Sequence, residues 1–242
     1  MAGPLYIEAR IRADLDELWA ATQDPARHQR WDLRFTHIDY LDVDAADRTG
    51  GGPQRFTYGV RVLGVMLSGT GVCAGERQRP DGTRTSALRF ASPHPLSLLA
   101  EGSGYWRYVP TADGIRFLTG YDYRPRWGRL GRIADRLVFR PLIGWATAWS
   151  FDRLRLWLER GTPPERSLRR ALFDVAVRVA AVAAVIVAAP LTSYTPAFIA
   201  LVGLVTLLLP PMPGTPAARR CVRRRPAAAT SPALLDRLEP QA

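Results

Sequence analysis

The side chains able to do acid–base, nucleophilic or metal chemistry are few and scattered along the chain. His28, His37 and His94 supply the only imidazoles, and none stands in a His-x-x-x-His or Cys-x-x-Cys arrangement. Cys73 and Cys221 lie far apart, so neither a disulfide framework nor a thiolate metal site is indicated. No metal and no cofactor are expected. His28, close to Trp31 on a short helix, reads either as an acid–base group at a cavity mouth or as a structural imidazole, because no orienting partner is readable beside it. Glu101, next to Gly102, Ser103 and Gly104, is a pocket carboxylate or marks a strand irregularity. Asp122 stands between Tyr121 and Tyr123 and is followed by Arg124. On a strand the tyrosines share one face and the charged pair the other, which makes Asp122 and Arg124 a solvated outer face if the tyrosines point inward. His28, Glu101 and Asp122 are the candidate catalytic residues, and none has a nucleophile or second carboxylate at a telling distance.

The aromatic residues carry a different chemistry, the burial of an apolar ligand. Phe56, Tyr58, Tyr105, Phe117, Tyr121, Trp145 and Trp149 come from separate strands and one long helix. They could line a cavity of the apolar kind that small-molecule sites favour, or form ordinary core.

These residues are positioned by a legible series of elements. Leu5, Ile7, Ala9 and Ile11 alternate with more polar neighbours, the period of a strand with one buried face. Asp14 with Glu17 opens a short helix over residues 15–22, and Asp24-Pro25 opens a second that ends at Trp31. Turn signals at Gly50 to Pro53, Pro80-Asp81-Gly82 and Asp113-Gly114 then divide the chain into strands over residues 34–43, 54–62, 66–77, 83–91, 98–109 and 115–124. Beyond Arg124 the pattern turns helical, is interrupted at Pro141, resumes over residues 142–159 and stops at Gly161-Thr162-Pro163-Pro164. The predicted domain is 1–160, with one antiparallel sheet that only the long C-terminal helix can cover.

Strand 6–12, the helix start at Asp14 to Trp19, the Asp24-Pro25…His28…Trp31 segment and the closing helix from Trp149 to Trp157 resemble the START-like (SRPBCC, polyketide-cyclase-like) superfamily. The resemblance covers about two thirds of the chain. It implies an α+β helix-grip fold, a curved seven-stranded antiparallel sheet wrapped around a long C-terminal helix with a cavity for a hydrophobic molecule. That superfamily includes lipid carriers, cyclases and hormone receptors, so the resemblance implies a cavity and not a reaction.

The remaining residues read as a membrane anchor. Residues 172–191 are apolar over about 30 Å of helix, the thickness of the hydrocarbon core. Residues 197–209 form a shorter run, and together they are expected to make a transmembrane hairpin over 171–212 after a linker at 161–170. Asp174 and Arg178 are four residues apart near the start of the first run, where they can pair and reach the interface. All 33 basic residues are Arg and the net charge is +11, with 23 Arg against 18 acids up to Arg160 and 10 against 4 beyond. The C-terminal arginines flank apolar runs, so phospholipid headgroups and not nucleic acid are the expected partner. Arg166, Arg169 and Arg170 precede the hairpin and Arg219, Arg220, Arg223, Arg224 and Arg225 follow it, while the connection is uncharged. By the positive-inside rule both ends face the cytoplasm, in agreement with an N-terminus that alternates instead of running apolar. The expected localisation is the cell membrane, multi-pass, with a basic, disordered tail over 213–242. The expected function is binding of a lipid, isoprenoid or polyketide-like molecule, with a cyclase- or dehydratase-like enzyme or a ligand-free interaction module as the alternatives.

Overall fold

The computed structural model describes residues 4–41, 54–62, 64–188, 196–212, 214–224 and 226. Strands β1 (Leu5–Ile11), β2 (His37–Tyr40), β3 (Arg55–Val62), β4 (Val65–Gln78), β5 (Arg84–Ala91), β6 (Leu99–Thr111) and β7 (Gly114–Pro125) form one sheet. Its order is β1-β7-β6-β5-β4-β3-β2, and every neighbouring pair is antiparallel. Consecutive strands are joined as hairpins from β2 onward, and β1 closes onto β7. Asp81-Gly82 and Asp113-Gly114 make two of the turns, and both glycines hold the positive φ that such turns need. The turn expected around Gly50 to Pro53 lies outside the described residues.

Between β1 and β2 lie α1 (Leu15–Gln23) and α2 (Pro25–Trp31). Asp14 caps the first by accepting from the backbone N–H groups of Asp16 and Glu17, and Asp24 caps the second, with Pro25 at its start. After β7 come α3 (Gly128–Ala134), a π-helical turn (Asp135–Phe139) and α4 (Arg140–Arg160), which ends on Gly161 in the left-handed conformation. The interruption expected at Pro141 is a widened turn and not a break. Proline has no N–H to donate, and the chain passes it by letting the Arg140 N–H reach Asp135 O.

Helix α4 is gripped by the β1 and β7 side of the sheet. Phe151 stacks on Phe117 with centroids 4.5 Å apart, and Trp31 meets Phe151 from α2 at 6.2 Å. With Ile7, Ile11, Leu18, Tyr108 and Leu154 these side chains form a fully buried core. The opposite, convex face carries a small cluster of Tyr6, Ala87, Tyr105 and Leu118.

Helix α5 (Pro164–Ala188) is long and apolar enough to cross a membrane, and α6 (Pro196–Leu208) is a shorter apolar helix packed beside it. The segment read as a linker, 161–170, is helical from Pro164. Its first turn is docked on the domain because Arg153 Nε donates to Pro164 O at 2.9 Å, Arg30 pairs with Glu165 at 2.9 Å and Ser167 is fully buried. The charged pair of α5 is satisfied between the two apolar helices: Arg178 binds Asp174 at 2.8 Å and donates to the carbonyls of Leu209 and Pro210, which close the end of α6. The tail expected to be disordered from 213 is instead buried over residues 214–218 and at Cys221, and Val222 exchanges backbone hydrogen bonds with Glu8, while residues 227–242 lie outside the described residues.

Candidate functional site

The interior holds a tight polar cluster amid aromatic rings. The Asp32 side chain is fully buried and takes a bidentate contact from Arg34, Nε to Oδ1 at 2.9 Å and Nη2 to Oδ2 at 2.6 Å. His28, one helical turn before Asp32, brings Nε2 to 3.0 Å from Oδ2. The His28 ring stacks on Trp31 at 4.8 Å and meets the edges of Trp106 and Phe35 at 4.8 and 5.4 Å. The Arg34 guanidinium lies 5.7 Å over the Tyr121 ring. Tyr121 Oη is 3.1 Å from Thr147 Oγ1, and because Thr147 spends its proton on Ile143 O, Tyr121 is the donor in that contact.

These contacts fix protonation. Burial would raise the Asp32 carboxyl, but the Arg34 charge and the hydrogen bonds from His28 and Arg34 overcome it, so it is held below the ordinary carboxylate range. Burial pushes His28 below its usual value, and Asp32 offsets this only in part. The imidazole is therefore neutral at pH 7. An ionised Asp32 requires the His28 proton on Nε2, which leaves the Nδ1 lone pair free as an acceptor. Burial raises the Tyr121 phenol against the opposing charge of Arg34, so it stays a hydroxyl.

Around this cluster the concave face is built flat. Across β3 and β4, Phe56 pairs with Gly71 and Tyr58 with Gly69, and across β5 and β6 Phe90 pairs with Gly102. A Cβ at Gly69, Gly71 or Gly102 would fall 2.3, 2.1 or 2.6 Å from those rings or their neighbours, so only glycine lets the aromatics lie on the sheet. While α4 covers β1 and β7, Tyr58, Leu67, Leu88 and Phe90 remain half-buried. The β3 to β5 side of the grip is thus its open side.

The residues singled out in the sequence divide clearly. Tyr58, Phe56 and Tyr121 line the concave face, whereas Phe117 is core against α4 and Trp149 is core on α4 itself. Tyr105 must be corrected: it lies on the convex face, its ring over Gly120. Trp145 is corrected too, since it is 44% exposed on α4. Glu101 and Asp122 point away from the interior; Glu101 pairs with Arg124 at 3.1 Å and Asp122 lies 3.8 Å from Arg140. Neither reaches His28. His37 sits over Gly59 and His94 accepts the Leu96 N–H in a loop. Of the arginines read as facing lipid, Arg220 instead binds Asp152 at 2.8 Å, and Arg225 lies outside the described residues. Asp32 and Arg34 were not singled out; the signal for them was the i, i+4 spacing of His28 and Asp32 at the end of α2.

Strand order, the helical pair after β1 and the gripped α4 define a helix-grip, START-like fold. No protein-family model matches the chain. It is 48% identical over 174 residues to the uncharacterized membrane protein YndG of Bacillus subtilis (strain 168), a match over 71% of this chain and 63% of that protein. The chain therefore spans less than two thirds of the relative's length. Similar solved structures include a STAR-related lipid transfer protein from Xanthomonas axonopodis (18% identity, 63% of this chain and 84% of that one, TM-score 0.45). They also include the Zhui aromatase/cyclase from Streptomyces sp. R1128 (16%, 63% and 95%, 0.41) and a START superfamily protein from Mycobacterium smegmatis (13%, 62% and 94%, 0.42).

Proposed function

We propose that this chain binds a hydrophobic small molecule at the open side of its grip while anchored to the bilayer by α5 and α6, with the domain and the returning tail on the cytoplasmic side. The ligand is a lipid, isoprenoid or polyketide-like molecule bearing one polar group. The observation that carries this reading is the Asp32, Arg34 and His28 cluster set at the edge of a flat aromatic wall. The apolar body lies on Tyr58, Phe90 and Leu88, and its polar end meets His28 Nδ1 or the Arg34 and Tyr121 pair. An apolar molecule partitions into the bilayer, and a domain docked directly on a membrane helix meets it there. Arginine flanks on both sides of α5 and α6 favour the cytoplasmic orientation.

The test is native mass spectrometry of the detergent-solubilised full chain. A retained apolar molecule, lost on Leu88→Trp, is the expected result. A chain that carries no added mass and takes up no fluorescent lipid would overturn the reading.

A second reading, a cyclase- or dehydratase-like enzyme, is favoured by one feature: a neutral imidazole oriented by a buried carboxylate, with its second nitrogen free, is the arrangement of a general base. If it holds, His28→Gln retains the molecule but stops its conversion. Unchanged conversion removes His28 from any such role.

A further inference from the structure

Where α5 leaves the domain, Arg166, Arg169, Arg170, Phe173, Met212 and Thr215 enclose an open groove of about 640 Å³. It is distinct from the grip interior, being formed between the first turns of α5 and the chain that returns after α6. Among the described residues no ion pair to Arg166, Arg169 or Arg170 forms, since Glu165 is taken by Arg30 and Asp174 by Arg178. Thr215 adds an independent mark. It is 3% exposed, and its Oγ1 is buried with no hydrogen-bond partner. Its backbone is already fixed, with N–H to Met212 O at 3.0 Å and its carbonyl accepting from Arg220 at 2.7 Å. Only the hydroxyl is left unsatisfied, and a buried hydroxyl without a partner is unfavourable unless a ligand supplies one.

The geometry points to a binding site for the phosphate headgroup of one anionic phospholipid. Guanidiniums and a hydroxyl are donors matched to phosphate oxygens. Phe173 and Met212 give the same groove an apolar side, and the exposed apolar run of α5 starts at Leu172 and Phe173, so the donors sit at the level where headgroups meet acyl chains. A zwitterionic headgroup would bring its ammonium against three arginines, which selects the anionic class. Arg170 Nη1 lies where a Cβ at Gly214 would come within 2.6 Å, so glycine there lets the guanidinium fold into the groove. This inference rests on the membrane anchoring proposed above but not on any ligand in the grip.

The full chain is reconstituted into nanodiscs of phosphatidylcholine alone or mixed with phosphatidylglycerol, extracted, and weighed by native mass spectrometry. One phosphatidylglycerol should be retained per chain, in preference to phosphatidylcholine. The triple variant Arg166→Gln, Arg169→Gln, Arg170→Gln should lose it by about tenfold or more, as charge-assisted bonds of this kind imply. Thr215→Val, which keeps the shape and removes the hydroxyl, should weaken it several-fold with an unchanged melting temperature. Equal retention of both lipids, or variants that retain phosphatidylglycerol like the parent, would overturn the site. Displacement by dilute inorganic phosphate would overturn the lipid source and assign the groove to a soluble phosphate. A chain that does not enter nanodiscs overturns the anchoring and this site with it, whereas Leu88→Trp, which blocks only the grip, should leave the lipid bound.

Discussion

Arg220, in the segment that follows the two apolar helices, reaches back to Asp152 in the middle of the grip helix, Nη1 to Oδ2 at 2.8 Å. The same carboxylate oxygen accepts the Ala217 N–H at 2.8 Å, and Oδ1 accepts from Arg155 at 2.7 Å. The two apolar helices are therefore held to the domain at both ends, at Pro164 and at Ala217. Breaking a buried ion pair by removing one partner typically costs about 3–5 kcal/mol, because the remaining charge is left without compensation. Asp152→Ala should lower the stability of the full chain by that order in denaturant unfolding and, by releasing the segment from the domain, should speed trypsin cleavage at the already exposed Arg219 and Arg220. Asp152→Asn, which keeps an acceptor for Ala217, should do less. Unchanged cleavage in Asp152→Ala would show that the tail is held by other contacts.

The His28 and Asp32 pair gives a pH signature with two windows. His28 is lowered from 6.5, so below that pH the unfolded chain binds a proton that the folded chain refuses. Stability should be full above 6.5, decline as pH falls toward the folded His28 value and level off beneath it. Asp32 is lowered from 3.8, so its contribution is full above 3.8 and is lost only as pH falls through its still lower folded value. His28→Phe should abolish the decline that begins at 6.5 and leave the acid limb. Chemical denaturation at a series of pH values separates the two, and a variant with the parent's slope below 6.5 would assign that slope elsewhere.

Local chemistry was well displayed in the sequence and long-range phase was not. Asp14 and Asp24 announce the two helix starts, and both act as caps. The alternation of β7 puts Tyr121 and Tyr123 inward and Asp122 outward, as strand geometry requires. In β6 the aromatic run Tyr105-Trp106 fits either phase, and Gly120 on the convex face leaves the room that the Tyr105 ring occupies. Asp32 and Arg34 look like solvated charges at a helix end, and only the fold shows that they neutralise each other in the interior. The Ala- and Pro-rich tail hides its packing because small residues such as Ala217, Ala218 and Cys221 give no periodic signal.

The correction at Tyr105 has a direct test. Tyr58→Leu removes an aromatic from the concave wall, whereas Tyr105→Leu changes only the convex cluster. With the ligand-retention measurement, Tyr58→Leu should reduce the retained mass and Tyr105→Leu should leave it intact. Phe117→Ala, by contrast, should act on stability, by about 3–5 kcal/mol, since its ring is fully buried against Phe151. A ligand lost on Tyr105→Leu from a stable protein would place the binding face on the other side of the sheet.

An exposed surface lies between β7 and the gripped part of α4. Leu130, Ile133, Leu137, Val138 and Leu142 are all exposed, with Trp127 and Trp145 at either end. This is a contiguous apolar ridge, and such a ridge marks a contact with membrane or protein. Of the five arginines that punctuate it, Arg126 donates to Ser92 O and Arg140 binds Asp135, which leaves Arg129, Arg132 and Arg136 exposed toward solvent. Three cations beside tryptophans suit a headgroup layer, each contributing about 1 kcal/mol near an anionic surface. The ridge and α5 stand at opposite ends of α4, roughly 30 Å apart by helical rise, so both touch one bilayer only if α4 lies nearly flat on it. In vesicles of brominated anionic lipid the full chain should then show tryptophan quenching that falls when Trp127→Phe and Trp145→Phe are combined. Leu130→Glu with Leu137→Glu should lower it as well, and added salt should weaken the contact by screening the arginines. Quenching that ignores all four changes means α4 stands away from the lipid, and the ridge is then a surface for a protein partner.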